Sequence, residues 1–169
     1  MFFNFLSAQF IRLAIAIAVA GILAFGYYLQ YAQGLEPCPL CITQRFFLLL
    51  CGALALIAFL HKPAKLGTYV YSGLGALFAI AGGGFSSRQL YLQSLPADQV
   101  PACGPSLGFI LETFPLSEAL SILIRGDGNC AEVSWTFLGL SIPGWTLIIF
   151  TSFVIGWGLQ LRASQPTAQ

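Results

Sequence analysis

Charge is what this 169-residue chain has least of. Only 8% of its residues are charged against 57% hydrophobic, where a soluble domain carries roughly 25% charged residues. That shortage excludes a water-soluble fold and predicts an integral membrane protein. Histidine occurs once, as His61 in the run His61-Lys62-Pro63-Ala64-Lys65. With no acid or cysteine near it in sequence, it offers no metal site. No internal repeat or low-complexity stretch is present, which leaves one unit of a few spans and a modest loop region. Nothing resembles a phosphate-binding loop, and no nucleic-acid partner is expected.

What the chain does have is long apolar runs. A transmembrane helix needs about 20 such residues, and four stretches qualify, at about 13–30, 42–60, 66–86 and 142–161. The fold class expected is therefore an all-α, four-helix bundle in a lipid bilayer. Ala18-Val19-Ala20 before Gly21 looks like a signal-peptide cleavage site, but the apolar run continues past it and reads as a span. Residues 1–12, with Phe2, Phe3, Leu6 and Phe10, suggest a short interfacial helix leading in. Gly73, Gly75 and Gly82 to Gly84 suggest close helix packing in the third span, with a kink at the triplet as a further option. Trp135, Trp145 and Trp157 read as interfacial and packing aromatics.

Loops are expected at about 31–41 and 87–141. The longer one holds Pro96, Pro101, Pro105 and Pro115, with Cys103 and Cys130. Its apolar residues between Leu107 and Ile124 recur at helical intervals broken by Pro115, which fits a helix lying on the bilayer surface. Four spans put both termini on one side. Arg12, Lys62, Lys65 and Arg162 flank the ends on that side, so the positive-inside rule makes it the cytoplasm. All six acids, Glu36, Asp98, Glu112, Glu118, Asp127 and Glu132, fall on the other face. Cys38, Cys41, Cys103 and Cys130 fall there too, in an oxidising compartment where thiols pair. Cys51, about 15 Å below Cys41 on the second span, reads as a buried small hydrophobe.

The chemistry is expected at Glu36-Pro37-Cys38-Pro39-Leu40-Cys41-Ile42-Thr43-Gln44-Arg45. With Cys38 as N-cap, Pro39 takes the first helical position and Cys41 lies in the first turn among unpaired N–H groups. Arg45 follows Cys41 by four residues, on the same helix face at roughly 6 Å. Dipole and cation together favour a thiolate. A Cys-x-x-Cys pair also suits half a zinc site or a structural bridge. The second pair is spread over a long interval with no histidine on its side, which weakens zinc. A bridge between Cys38 and Cys41 closes so short a loop that it constrains little, and redox turnover explains it better. By spacing alone, Cys103 and Cys130 fit a structural bridge as well as a redox couple.

EPCPLCITQR, RQLYLQSLPADQVPACGP, FPLSEAL and GDGNCAEVSWTFLGLSIPGW resemble, in the same order, the disulfide bond formation protein B (DsbB) family. These are inner-membrane enzymes that reoxidise the periplasmic dithiol oxidase DsbA in the relay that keeps the bacterial periplasm oxidising. The resemblance implies that Cys103 is attacked by the partner's thiolate and Cys130 is released to attack Cys38, freeing Cys41 beside a quinone, ubiquinone or menaquinone. Two electrons then pass to the quinone, closing Cys38 to Cys41, and a second exchange restores Cys103 to Cys130. It also implies that Arg45 lies at the quinone site, with Gln44, Arg88 and Gln89 as further candidates. Some members carry a histidine where this chain reads Arg88-Gln89, and Gln89 can donate a hydrogen bond but cannot take up a proton near neutral pH. Residues 94–102 are expected to be extended and mobile, and 126–129 flexible. Two other readings are a vitamin K epoxide reductase-like enzyme, with electron flow reversed, and a non-catalytic scaffold or transporter with structural disulfides.

Overall fold

The computed structural model of the chain describes residues 2–104, 109 and 112–164, with side chains from 8 to 162 within that set. Four long helices make the bundle: α1 (Phe2–Ala32), α2 (Pro39–His61), α3 (Lys65–Gln93) and α5 (Ile142–Ser164). Between α3 and α5 lie a short helix α4 (Leu116–Arg125), a 3-10 turn (Gly128–Ala131) and a hairpin of β1 (Thr136–Phe137) with β2 (Leu140–Ser141). Each of the four expected spans falls within one long helix, and all four helices are long and apolar enough to cross a membrane. The third does not stop near 86 but continues to Gln93. The interfacial helix expected over 1–12 is not separate: α1 runs unbroken from Phe2, since no proline or glycine interrupts the first turns.

Helix ends follow local chemistry. Cys38 is extended (φ −69°, ψ 164°) as the N-cap of α2, with Pro39 in the first turn, where its missing N–H costs nothing. Lys62 closes α2 in the left-handed region (φ 46°), its N–H donating to the Ala58 carbonyl. α4 starts directly after Pro115, carries Glu118 in its first turn and Arg125 in its last, and ends at Gly126 (φ 74°). Leu116, Leu120 and Ile124 are exposed along it at four-residue spacing, while Ala119 is buried. This apolar stripe is what a bilayer-surface helix presents. The first part of the expected surface helix, residues 107–111, lies outside the described residues apart from Phe109.

The core is built by fit between small and large residues. α3 packs most closely on α5, and a Cβ on Gly75 would overlap the Trp157 indole, while one on Gly82 would overlap the Phe150 ring. The glycines of α3 therefore serve as sockets for aromatic knobs, and the helix runs through the triplet without a break. Cys51 is fully buried in this cluster with Ile15, Val19, Leu48, Ala79 and Phe153, as expected of a packing residue. At the end of the bundle away from Cys38, Arg12 is 1% exposed. Its guanidinium donates to Gln160 Oε1 on α5 (2.9 Å), to the Ala58 carbonyl on α2 (3.3 Å) and to Thr68 Oγ1 on α3 (3.2 Å). The charge read from sequence as a flanking one is thus folded inward, joining α1 to the other three long helices.

Candidate functional site

At the opposite end, α1 and α5 touch only sparsely, and a cavity of about 720 Å³ lies between α1, α2 and α5. That size suits a small-molecule or cofactor site. Ile22, Leu29, Leu48 and Ile149 line its apolar depth, and Phe25, Trp135, Phe137 and Trp145 form an aromatic wall. The wall is self-supporting: Trp135 stacks on Phe137, meets Phe25 edge-on, and Trp145 Nε1 donates to the Phe137 carbonyl at 3.0 Å. Trp135 and Trp145 are thus cavity residues, held by the hairpin, while only Trp157 is pure core.

The polar end of this cavity carries Cys38, Cys41, Gln44, Arg45 and Gln89. Cys41 Sγ lies 2.9 Å from Cys38 Sγ, and Gln89 Nε2 donates to both sulfurs at 3.3 Å. Gln44 Nε2 in turn donates to Gln89 Oε1 at 2.7 Å. Arg45 reaches across to α1. It donates to Gln30 Oε1 (2.5 Å) and the Gly26 carbonyl (3.0 Å), and lies 5.3 Å from the Tyr27 ring centre. The guanidinium lies close against the backbone at Gly26, where a Cβ would stand in ordinary contact with it at 3.5 Å. A guanidinium, two amides and a sulfur facing an apolar slot of this size suit a flat, apolar molecule with carbonyl oxygens at its rim, the shape of a quinone.

Arg88 is not brought to this cavity. One residue along a helix turns the side chain by about 100°, so while Gln89 faces in, Arg88 is exposed and donates to the Arg125 carbonyl at 2.7 Å. It lines a separate groove with Phe85 and Ile124.

Cys130 is fully buried and packs with Cys38, Leu40 and Leu92. Its closeness to the Cys38 thiol is the main reason its own thiol is held below the ordinary value, against the opposing effect of burial. The same contact, with a second to Cys41 and with burial, pushes the Cys38 thiol far up. Cys38 is therefore the central sulfur, in contact with Cys41 on one side and packed on Cys130 on the other. Cys103 is exposed, and all five cysteines are free thiols.

The two cysteine loops are joined by hydrogen bonds. Asp127 accepts from the Asn129 N–H at 3.1 Å, Gly128 N donates to the Ala102 carbonyl at 3.1 Å, and Asn129 Nδ2 donates to the Gly104 carbonyl at 3.1 Å. Residues 126–129, expected to be flexible, form a capped turn because an aspartate two residues before an asparagine N–H closes an Asx turn. The 94–102 stretch also folds back on itself, with Gln99 N donating to the Pro96 carbonyl at 2.9 Å. Sequence reasoning missed Gln30, Thr146 and the hairpin wall, since each acts across the bundle. Thr146 had one visible signal, a hydroxyl in an otherwise apolar stretch.

The family model described as disulfide bond formation protein DsbB matches residues 8–160. Among similar proteins, one named disulfide bond formation protein B from Hahella chejuensis is 55% identical over 83% of this chain and 86% of its own. Namesakes from Chromobacterium violaceum and Marinobacter nauticus are each 50% identical, over 88% and 89% of this chain and 89% and 90% of theirs.

Proposed function

The chain belongs to the disulfide bond formation protein B family and is a membrane thiol-disulfide oxidoreductase, and from that premise we propose the route its electrons take. They enter from a reduced periplasmic dithiol oxidase of the DsbA kind at Cys103. They pass through Cys130 to Cys38 and Cys41, and leave to a membrane quinone in the cavity beside Arg45. The enzyme acts in the bacterial inner membrane with these cysteines facing the periplasm and both termini in the cytoplasm, as the lysine and arginine bias requires. Family membership sets aside the non-catalytic scaffold.

Each step is a sulfur exchange. The partner's thiolate attacks Cys103 of a Cys103–Cys130 disulfide, forming a mixed disulfide and releasing Cys130 as thiolate. The partner's second thiol then closes its own disulfide and frees Cys103. Cys130 attacks Cys38 of the Cys38–Cys41 disulfide, so Cys41 leaves as thiolate. Cys103 next attacks Cys130, which restores that bridge and returns Cys38 as thiol. A quinone supplies the two-electron, two-proton acceptor, so that Cys38 and Cys41 reclose. Arg45 and Gln89 hold the negative charge that each cycle leaves at the cavity's polar end.

The observation that carries this reading is the position of Cys41. Its sulfur lines an apolar cavity while touching Cys38, and Cys38 packs on Cys130, so exchange and electron exit meet at one place. The test is anaerobic: purified protein, a reduced thioredoxin-fold dithiol oxidase and a short-chain quinone, with quinone absorbance followed in time. One quinone is expected to be reduced per dithiol oxidised. Cys41→Ser and Cys103→Ser should each abolish turnover, while Cys51→Ser keeps most of it. No bleaching with the unaltered protein would sink the route, and net dithiol formation from quinol would point to the reverse, vitamin K epoxide reductase-like direction.

A further inference from the structure

We propose that Thr146 is a positioning residue for the redox centre: through Gln44 it fixes the Gln89 amide with its NH2 group, not its carbonyl, toward the sulfurs of Cys38 and Cys41. The inference rests on the reading of Cys41 as the sulfur that carries charge at the cavity.

A continuous buried chain of polar groups makes the connection. Ser86 Oγ on α3 lies 3.1 Å from Thr146 Oγ1 on α5. Thr146 Oγ1 donates to Gln44 Oε1 on α2 at 2.6 Å, Gln44 Nε2 donates to Gln89 Oε1 on α3 at 2.7 Å, and Gln89 Nε2 donates to both sulfurs. Ser86, Thr146, Gln44 and Gln89 are all buried, none more than 8% exposed.

The order of donors and acceptors has a consequence for orientation. An amide has a donor end and an acceptor end, so the hydroxyl at one end of the chain decides which end of each amide faces the next group. With Thr146 donating, Gln44 presents Nε2 to Gln89, and Gln89 must present Nε2 to sulfur. A thiolate at Cys41 then meets one N–H of the Gln89 amide at 3.3 Å, the nitrogen also reaching Cys38, while the Gln89 carbonyl stands farther off at 3.7 Å, and the amide has no proton to lose near neutral pH. If the Gln89 amide turned over, its carbonyl would face the negative sulfur and its NH2 would face another NH2. Thr146 has a second acceptor within reach, the Pro143 carbonyl at 3.1 Å. Its hydroxyl is held in the productive direction by the shorter bond to Gln44.

Valine keeps the shape of threonine and removes the hydroxyl, while serine keeps the hydroxyl. In fully reduced protein without quinone at neutral pH, the alkylation rate of Cys41 by iodoacetamide is read by peptide mass spectrometry. Thr146→Val should slow it by at least about threefold, from the loss of support to a charged acceptor. Thr146→Ser should restore the unaltered rate. Gln44→Glu, which puts an acceptor where Gln89 Oε1 needs a donor, should slow it more than Thr146→Val, and it decides the matter should the valine variant not fold. Equal rates in the valine and unaltered proteins, or equal slowing by valine and serine, would overturn the proposal. Because no quinone is present, a failure of the electron route would leave this result standing, and the reverse holds too.

Discussion

Two arginines, one buried and one half-buried, at opposite ends of the bundle, show how the same side chain serves a structural and a chemical purpose. Arg12 donates to three helices other than its own, from a site that is almost wholly closed to solvent. Arg45 donates only to α1, and its remaining surroundings are the cavity. The difference lies in what meets each residue. At the Arg12 end, Gln160, Thr68 and the Ala58 carbonyl near the end of α2 converge on one point. At the cysteine end, the sparse contact of α1 with α5 leaves the guanidinium on a wall with open space before it. A cation surrounded by fixed partners holds helices together, and one facing a slot is available to a guest.

This contrast can be broken at either end. Arg12→Ala should be the larger loss. It removes three hydrogen bonds from a charged donor in a buried site. At roughly 1.5 kcal/mol or more for a bond to a charged group, the thermal midpoint in detergent, followed by helical circular dichroism, should fall by many degrees. Arg45→Ala should leave the midpoint almost unchanged, because Gln30 and Gly26 then face the cavity. Its KM for quinone should rise by about tenfold, with dithiol exchange at Cys103 intact. A stable Arg12→Ala, or an Arg45→Ala with the ordinary quinone dependence, would remove the distinction.

Much of this arrangement was legible along the chain, and what was not shares a cause. The apolar runs gave four helices, and the proline between two cysteines gave the start of α2, because both are properties of consecutive residues. Arg45 was expected beside Cys41 from four-residue spacing. It does line the same cavity, but its guanidinium is held by Gln30, Gly26 and Tyr27 of α1, partners that no local pattern names. Arg12 was read as a flanking charge for the same reason, since only the assembled bundle brings Gln160 and Thr68 to it. Arg88 and Gln89 are both candidates from sequence because the family resemblance places a histidine at that point of the chain, whereas a helix sends adjacent residues to different faces, and only Gln89 faces the cavity. Glycine and proline around the second cysteine pair suggested looseness, yet the Asp127 and Asn129 side chains fasten that turn.

The smallest expected effect sharpens the contrast by asking where charge rests at the cysteine end once the cysteines are reduced. Cys130 is held below the ordinary thiol value chiefly by its interaction with the neighbouring Cys38 thiol, against the opposing effect of burial. A thiol lowered in this way is ionised at a pH where a free one is still protonated. Cys38, raised by the same interaction, stays protonated throughout. Cys38→Ala deletes that neighbour and leaves burial, so the Cys130 titration should move upward and its thiolate fraction at neutral pH should fall. The Cβ resonance of labelled Cys130, followed against pH in the reduced protein, reads this directly. A midpoint that stays in place, or moves down, would mean that Cys38 is not the cause and that Cys130 draws its charge stabilisation from the Leu40 and Asp127 backbone contacts instead.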